Sequence, residues 1–340
     1  MPSVVSHLRS ILAPLCLAFA LMFAVAAPAA AQLSFKPTDQ AVHEDKLLEA
    51  LKAGEKVTGR ITIPDRMAAS LIQPAGREWR DFQRSMLPWI GGIAIIGMTV
   101  LLAAFLLIRG RIRIEKGFSG RTILRFASFE RFMHWVTATC FIILGLSGLN
   151  ISFGRSLLLP LIGPEAFSML THWGKLAHNY LAFPFMLGIA TMFAVWVKDN
   201  IPSRMDWNWI KAGGGLLRNG QHPPAKRFNA GQKGIFWMVI IGGVLMSLSG
   251  WFLLFPYQAG DVTSLQIWTV VHAIVALLFI AGILAHIYIG SVGMEGAFDA
   301  MGTGQVDVNW AKEHHALWVE EEQAKGRTPA GAPPRGMPAE

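Results

Sequence analysis

Residues 270–292 read VVHAIVALLFIAGILAHIYIGSV, twenty-three positions without an acidic residue, lysine or arginine. As a helix such a run crosses a hydrocarbon layer of about 30 Å, so it reads as a membrane span. Two histidines interrupt it, His272 and His286. Their spacing turns a helix by about 1,400°, roughly 40° short of four full turns, and advances it by about 21 Å. Both rings therefore face one side of the helix at two depths. An ionisable ring in lipid costs several kcal/mol unless it finds a partner, so each ring calls for something on a neighbouring helix.

The rest of the chain agrees with a membrane setting. Of 340 residues, 53% are hydrophobic and 15% charged, a balance that a soluble domain of this length does not carry. Besides the last run, apolar segments occupy roughly 130–151, 173–197 and 234–255, and an earlier one, LPWIGGIAIIGMTVLLAAFLLI, fills 87–108. The expected architecture is an all-α integral membrane protein: a four-helix transmembrane bundle over 130–293 plus one extra N-terminal transmembrane helix at 88–108. Cys16 and Cys140 both lie in apolar runs and show no ligand spacing, which argues against disulfides, zinc, covalent haem and cysteine-held clusters.

Residues 1–31 read as a signal peptide, with His7 and Arg9, an apolar run over 11–27 and Ala29, Ala30 and Ala31 ahead of Gln32. A periplasmic N-terminal region at 32–87 follows, with KPTDQAVHEDKLLEALKAGE suited to a short helix. Loop charge then sets the orientation. Arg109, Arg111, Arg113, Lys116, Arg121, Arg125 and Arg131 make 109–129 and its border a basic cytoplasmic linker, and 198–233 is similarly basic. The loop 152–172 carries only Arg155 and Glu165, and 256–264 only Asp261, as outer loops should. Arg77, Arg80 and Arg84 argue the other way and are outnumbered. Residues 294–340 are then a cytoplasmic tail, helical around WAKEHHALWVEEEQAKG and disordered at its Pro/Gly-rich end. Cationic residues gather at span ends facing lipid, so no nucleic-acid partner is expected.

Four of the ten histidines, His134, His178, His272 and His286, fall inside spans. Depth pairs His178 with His272 toward the outside and His134 with His286 toward the cytoplasm. Two b-type haems with bis-imidazole ligation fit that arrangement. A proton or ion pathway without haem, and purely structural histidines, remain open on spacing alone. In THWGKLAHNYLAF (171–183), His172 competes with His178 but lies at the aqueous boundary and about 120° away on a helix. His222, His314 and His315 stand in polar segments and are expected to be solvated. Gly145, Gly148, Gly242, Gly243, Gly250 and Gly282 either clear room for a macrocycle or serve close helix packing.

RFMHWVTATCFIILGLSGLNISF (131–153), GKLAHNYLAF (174–183), RFNAGQK (227–233), the last span and AKEHHALW (311–318) together resemble the cytochrome b gamma subunit of membrane-bound formate dehydrogenase, over about residues 122–320. The resemblance implies a diheme subunit that takes electrons from an iron–sulfur (beta) subunit beside a molybdenum or tungsten catalytic (alpha) subunit, and reduces quinone near the inner face of the bacterial inner membrane. It implies His178 and His272 as ligands of the outer haem b, His134 and His286 of the inner one, and Asn229, Gly231 and Gln232 as quinone contacts. The chain would thus act within an enzyme without itself oxidising formate. Read alone, NAGQK is a polar helix entry before the span at Gly234. The cytochrome b of a membrane hydrogenase or of another molybdoenzyme shares the same plan, and a haem-free transporter is the reading from a different class. The first 120 residues have no counterpart in compact members of the family.

Overall fold

The computed structural model describes residues 79–215, 223–326 and 330–331, together with Glu49, Lys52 and Ala53. The expected signal peptide, most of the 32–87 region and His222 lie outside the described residues.

Five helices are long and apolar enough to span a membrane: α1 (Trp79–Arg109), α2 (Ser128–Leu157), α3 (Leu159–Trp196, continued to Asn200 by one further turn), α5 (Ala230–Leu254) and α6 (Val262–Tyr288, extended to Gly293). A short helix α4 (Arg204–Lys211) lies between α3 and α5. Local chemistry sets the starts. The Asp261 side chain accepts from the Ser264 N–H at the head of α6, and Ser203 and Asp206 form a capping box on α4. Burial disfavours the Asp206 carboxylate, but hydrogen bonds from Lys233 and Ser203 outweigh it and hold its pKa below the usual carboxylate range.

α2, α3, α5 and α6 form the bundle, and α1 packs on its side against α6. A Cβ on Gly91 of α1 would meet the Leu277 side chain at 3.3 Å, and Phe105 sits edge-on to Tyr288. The outer faces of α1 are apolar and open, as lipid contact requires: Trp89, Ile93, Leu107 and Ile108 are all exposed. Inside the bundle, Gly188 leaves room for Thr137 and Gly243 for Ile189, so α2, α3 and α5 approach closely. Gly145, Gly242 and Gly282 face Ile280, Phe279 and Met238. Of the two uses open to those three glycines, helix packing is the one observed.

The structure differs from the sequence expectations in three places. The segment 152–172 is helical instead of a loop. α2 runs on to Leu157, and after Gly163, whose φ of 79° only glycine adopts comfortably, Pro164 restarts α3 at a position where its missing N–H costs nothing. α1 already includes Trp79, so Arg80 and Arg84 stand on the helix and not before it. The third difference concerns the linker 109–129 and the tail after 293, which were read as separate segments.

Those two segments fold together. Strand β1 (Arg121–Leu124) pairs antiparallel with β2 (Gln305–Asp307), Thr122 opposite Asp307, and with β3 (Ala330–Gly331) on its other edge. This three-stranded sheet is a small addition to the otherwise helical fold. Helices α7 (Asp299–Gly302), α8 (Val308–His314) and α9 (Ala316–Ala324) complete a cap over the end of the bundle where α2 starts and α6 ends. Val306, Trp310, Ala311, Trp318 and Val319 form its core. His315, expected to be solvated, is fully buried there. Its ring is engaged on both sides, Nε2 lying 3.0 Å from the Arg125 guanidinium and Nδ1 2.8 Å from the Lys226 carbonyl.

Candidate functional site

All four span histidines face the bundle interior, in two couples. His134 of α2 meets His286 of α6 near the cap, with ring centroids 6.2 Å apart and planes at 65°. His178 of α3 meets His272 of the same α6 farther from the cap, at 6.3 Å and 65°. The shared helix carries one ring of each couple, about 21 Å apart along its axis. His172 is exposed on an open groove with Pro164, Glu165 and Met169, and only His178 reaches His272.

The dimensions can be tested against a bis-imidazole iron. Two trans imidazole nitrogens at about 2 Å from a metal set the ring centroids roughly 6 Å apart, and both couples have that spacing. Direct imidazole–imidazole hydrogen bonds are absent from both couples among the described residues.

Hydrogen bonding fixes the ring chemistry of the far couple. Ser147 Oγ lies 2.9 Å from His178 Nδ1, and Ser249 Oγ 2.9 Å from His272 Nδ1. Each hydroxyl also donates back to its own helix, Ser147 to the Ile143 carbonyl and Ser249 to the Leu245 carbonyl, both at 2.6 Å. With its one proton spent there, each oxygen is left to accept, so each ring carries its proton on Nδ1 and presents Nε2 as a lone pair.

Space is provided beside the same rings. A Cβ on Gly148 would stand 3.4 Å from His178 Cε1, and one on Gly250 3.3 Å from His272 Cε1. Serine and glycine come from the same triplet, Leu-Ser-Gly, at 146–148 on α2 and at 248–250 on α5. The glycines were legible as candidates for clearing space. The serines were missed, and the signal that would have found them was this repeat.

The cap-side couple is built differently. His134 Nδ1 is buried with no hydrogen-bond partner among the described residues, and the Trp135 ring stands edge-on to it at 5.3 Å. Trp135 Nε1 in turn donates to the Met301 carbonyl and Arg131 to the Gly302 carbonyl, so the cap grips the turn of α2 that carries His134. The unpaired Nδ1 sets this couple apart from the far one, and its fit to two imidazole ligands rests on the ring spacing that the two couples share. The residues present therefore fit haem with two histidine ligands at each couple.

The NAGQK element caps α5. Asn229 Oδ1 accepts from the Gln232 N–H at 2.9 Å, and Gln232 Oε1 accepts from the Asn229 N–H at 3.2 Å. The polar helix entry read from the sequence is what this geometry amounts to, and the two side-chain amide groups make no hydrogen bond as donors among the described residues. Gly231 leaves room for the Trp209 indole of α4, 3.2 Å from where its Cβ would be. Ser203, Asp206, Trp209, Phe228, Asn229 and Lys233 line a small cleft of about 20 Å³ beside this turn.

A partly buried ionic network ties that turn to the cap. Glu130, in the first turn of α2, accepts from Trp196 and Arg227, both at 2.6 Å, while Arg227 also pairs with Asp199 at 2.8 Å. Arg125 donates to the Arg227 carbonyl at 2.6 Å, approaches Gln232 at 3.5 Å, and lies over the faces of Phe126, Trp310 and Trp318. Burial and the neighbouring Arg227 charge push its pKa down to about 9, so it is still a cation at neutral pH. Burial and the Arg125 charge hold His315 well below the ordinary histidine range, which keeps that ring neutral.

Comparison with known proteins agrees with this geometry. The family model described as prokaryotic cytochrome b561 matches residues 125–304, more than half of the chain. Among similar proteins, the formate dehydrogenase cytochrome b556(fdo) subunit of Escherichia coli K12 is 30% identical over 203 residues, 59% of this chain and 93% of that protein. The nitrate-inducible cytochrome b556(Fdn) subunit of the same organism is 27% identical over 218 residues, 62% of this chain and 98% of its own length. A formate dehydrogenase cytochrome b556 subunit of Haemophilus influenzae is 28% identical over 206 residues, covering 59% and 83%. This chain, a multi-pass membrane protein, belongs to the prokaryotic cytochrome b561 family.

Proposed function

We propose that the chain is the membrane cytochrome b subunit of a respiratory formate dehydrogenase in the bacterial inner membrane. In this reading residues 32–87 face the periplasm and the C-terminus lies in the cytoplasm. It carries two haem b groups, an outer one on His178 and His272 and an inner one on His134 and His286. It passes electrons from a periplasmic iron–sulfur subunit, fed by a molybdenum or tungsten catalytic subunit, to quinone near Asn229, Gly231 and Gln232. The observation that carries the reading is the recurrence of one imidazole geometry, 6.2 and 6.3 Å at 65°, at two depths of one bundle.

Haem b, when bound by these histidines, would supply one-electron transfer. The residues of the chain hold the rings, exclude water and tune the surroundings. Ser147 and Ser249 keep the far rings in the Nδ1–H tautomer. The free amide donors of Asn229 and Gln232, at the membrane boundary, suit the carbonyl oxygens of a quinone. Formate as the source of electrons rests on the similar proteins, each a formate dehydrogenase subunit.

A redox-titrated absorption spectrum of the purified complex, with its subunits identified, tests this. Two reducible b-type components beside a formate-oxidising partner are expected. A folded complex without b-type bands sinks the haem assignment, and copurification with a hydrogenase or a different molybdoenzyme moves the chain to that complex instead.

A further inference from the structure

We propose that Ser147 and Ser249 are positioning residues that act through His178 and His272 to lower the reduction potential of the outer haem relative to what the two imidazoles alone would set. The inference rests on the reading that this couple holds a haem b. It starts from a duplicated arrangement: two different helices, α2 and α5, bring the same Leu-Ser-Gly triplet to the two ligands of one couple, and the contact is 2.9 Å in both cases.

The direction of the effect follows from the direction of the hydrogen bond. If a serine donated to Nδ1, its oxygen would face the Ile143 or Leu245 carbonyl at 2.6 Å with lone pair against lone pair. The serine therefore accepts. An acceptor on Nδ1–H draws that proton outward and makes the imidazole a stronger electron donor through Nε2. A stronger donor favours the oxidised, more positive iron over the reduced one, so the potential falls. Ring orientation is held as well, because the serine oxygen is anchored to its own helix. The cap-side couple lacks this device on His134, whose Nδ1 has no partner among the described residues.

Ser247 provides an internal control. It stands on the same helix as Ser249 and makes the same kind of backbone bond, to the Gly243 carbonyl at 2.6 Å, but among the described residues it makes no hydrogen bond to a histidine ring.

The test is a redox titration of the intact complex, wild type against Ser147→Ala, Ser249→Ala, the double variant and Ser247→Ala, with haem per chain measured in parallel. Each single alanine variant should raise the potential of one b-type component, and the double variant should raise the same component further. The second component and the Ser247→Ala complex should stay at wild-type values. Ser147→Thr and Ser249→Thr, which keep the hydroxyl, should stay close to wild type, including in haem content if the alanine variants lose it. No shift, a downward shift, an equal shift of both components, or the same shift in Ser247→Ala overturns the inference. These failures are distinct from failure of the haem reading, which would show as absence of b-type components in the wild-type complex.

Discussion

The two histidine couples share a geometry and differ in what holds it. The far couple is braced from within the bundle, by one serine and one glycine from each of two helices that flank the two rings. The cap-side couple is held from outside, through Trp135 and Arg131 reaching the carbonyls of Met301 and Gly302 about 170 residues away in sequence. The difference teaches that one ligand spacing can rest on local, repeated chemistry or on long-range tertiary contacts. The two kinds of support should fail separately.

The largest effects break the couples themselves. His178→Ala and His134→Ala should each take the complex from two haems per chain to one, read as the haem-to-protein ratio, and the spectral component lost should differ between them. His172→Ala should leave both. Loss of a haem in His172→Ala with retention in His178→Ala would mean that the wrong ring of 171–183 had been paired with His272. Next in size, Gly148→Leu or Gly250→Leu should exclude the far haem alone, because even a Cβ there stands 3.4 or 3.3 Å from a ligand ring. Gly145→Ala, whose Cβ would meet Ile280 at an ordinary 3.7 Å, should leave both haems in place.

The same contrast explains what could be read in advance. The spans follow from apolar runs, and the couples from depth and rotation along α6, since both are properties of single helices. The far brace was half legible: its glycines were noticed, while its serines were hidden by being ordinary members of apolar helices, and only comparison of 146–148 with 248–250 exposes them. The cap was not legible. β1 and β2 pair across more than 180 positions, and nothing in either strand alone names its partner. His315 misled for a related reason: its sequence neighbours are polar, whereas its spatial neighbours are Arg125, Trp310 and Trp318. The segment 152–172 reads as a loop between two apolar runs, yet Pro164 after a glycine is a helix start.

A smaller effect is expected at the α5 cap, which belongs to the cap-side half of the comparison. Asn229→Asp keeps the oxygen that accepts from the Gln232 N–H but removes the amide donor. If the amide serves quinone, quinone reduction should fall while both haem spectra and the thermal stability stay at wild-type values. Asn229→Ala should lose stability as well, by about 1 kcal/mol for a missing cap. Equal turnover in wild type and Asn229→Asp would leave the residue as a helix cap alone.

The smallest effect sharpens the comparison through pH. His315 is neutral in the folded cap, with its pKa held below the unfolded value of about 6.5 by burial and by the Arg125 cation. The unfolded chain therefore takes up this proton first. Stability from this group is fully present above about pH 6.5 and is lost as the pH falls from there toward the folded pKa, at up to about 1.4 kcal/mol per pH unit. Arg125, still charged throughout this range, opposes protonation of the ring it touches. Because the cap grips the turn carrying His134, mild acid should loosen the cap-side couple first. Amide protection factors, taken relative to the intrinsic exchange rate at each pH, should fall between pH 7 and 5 in 299–324 and near His134 while those of the Ser147 and Ser249 turns hold, and His315→Gln should flatten that dependence. Equal loosening at both couples would mean that the braces do not act independently, and that the bundle responds to the cap as a single unit.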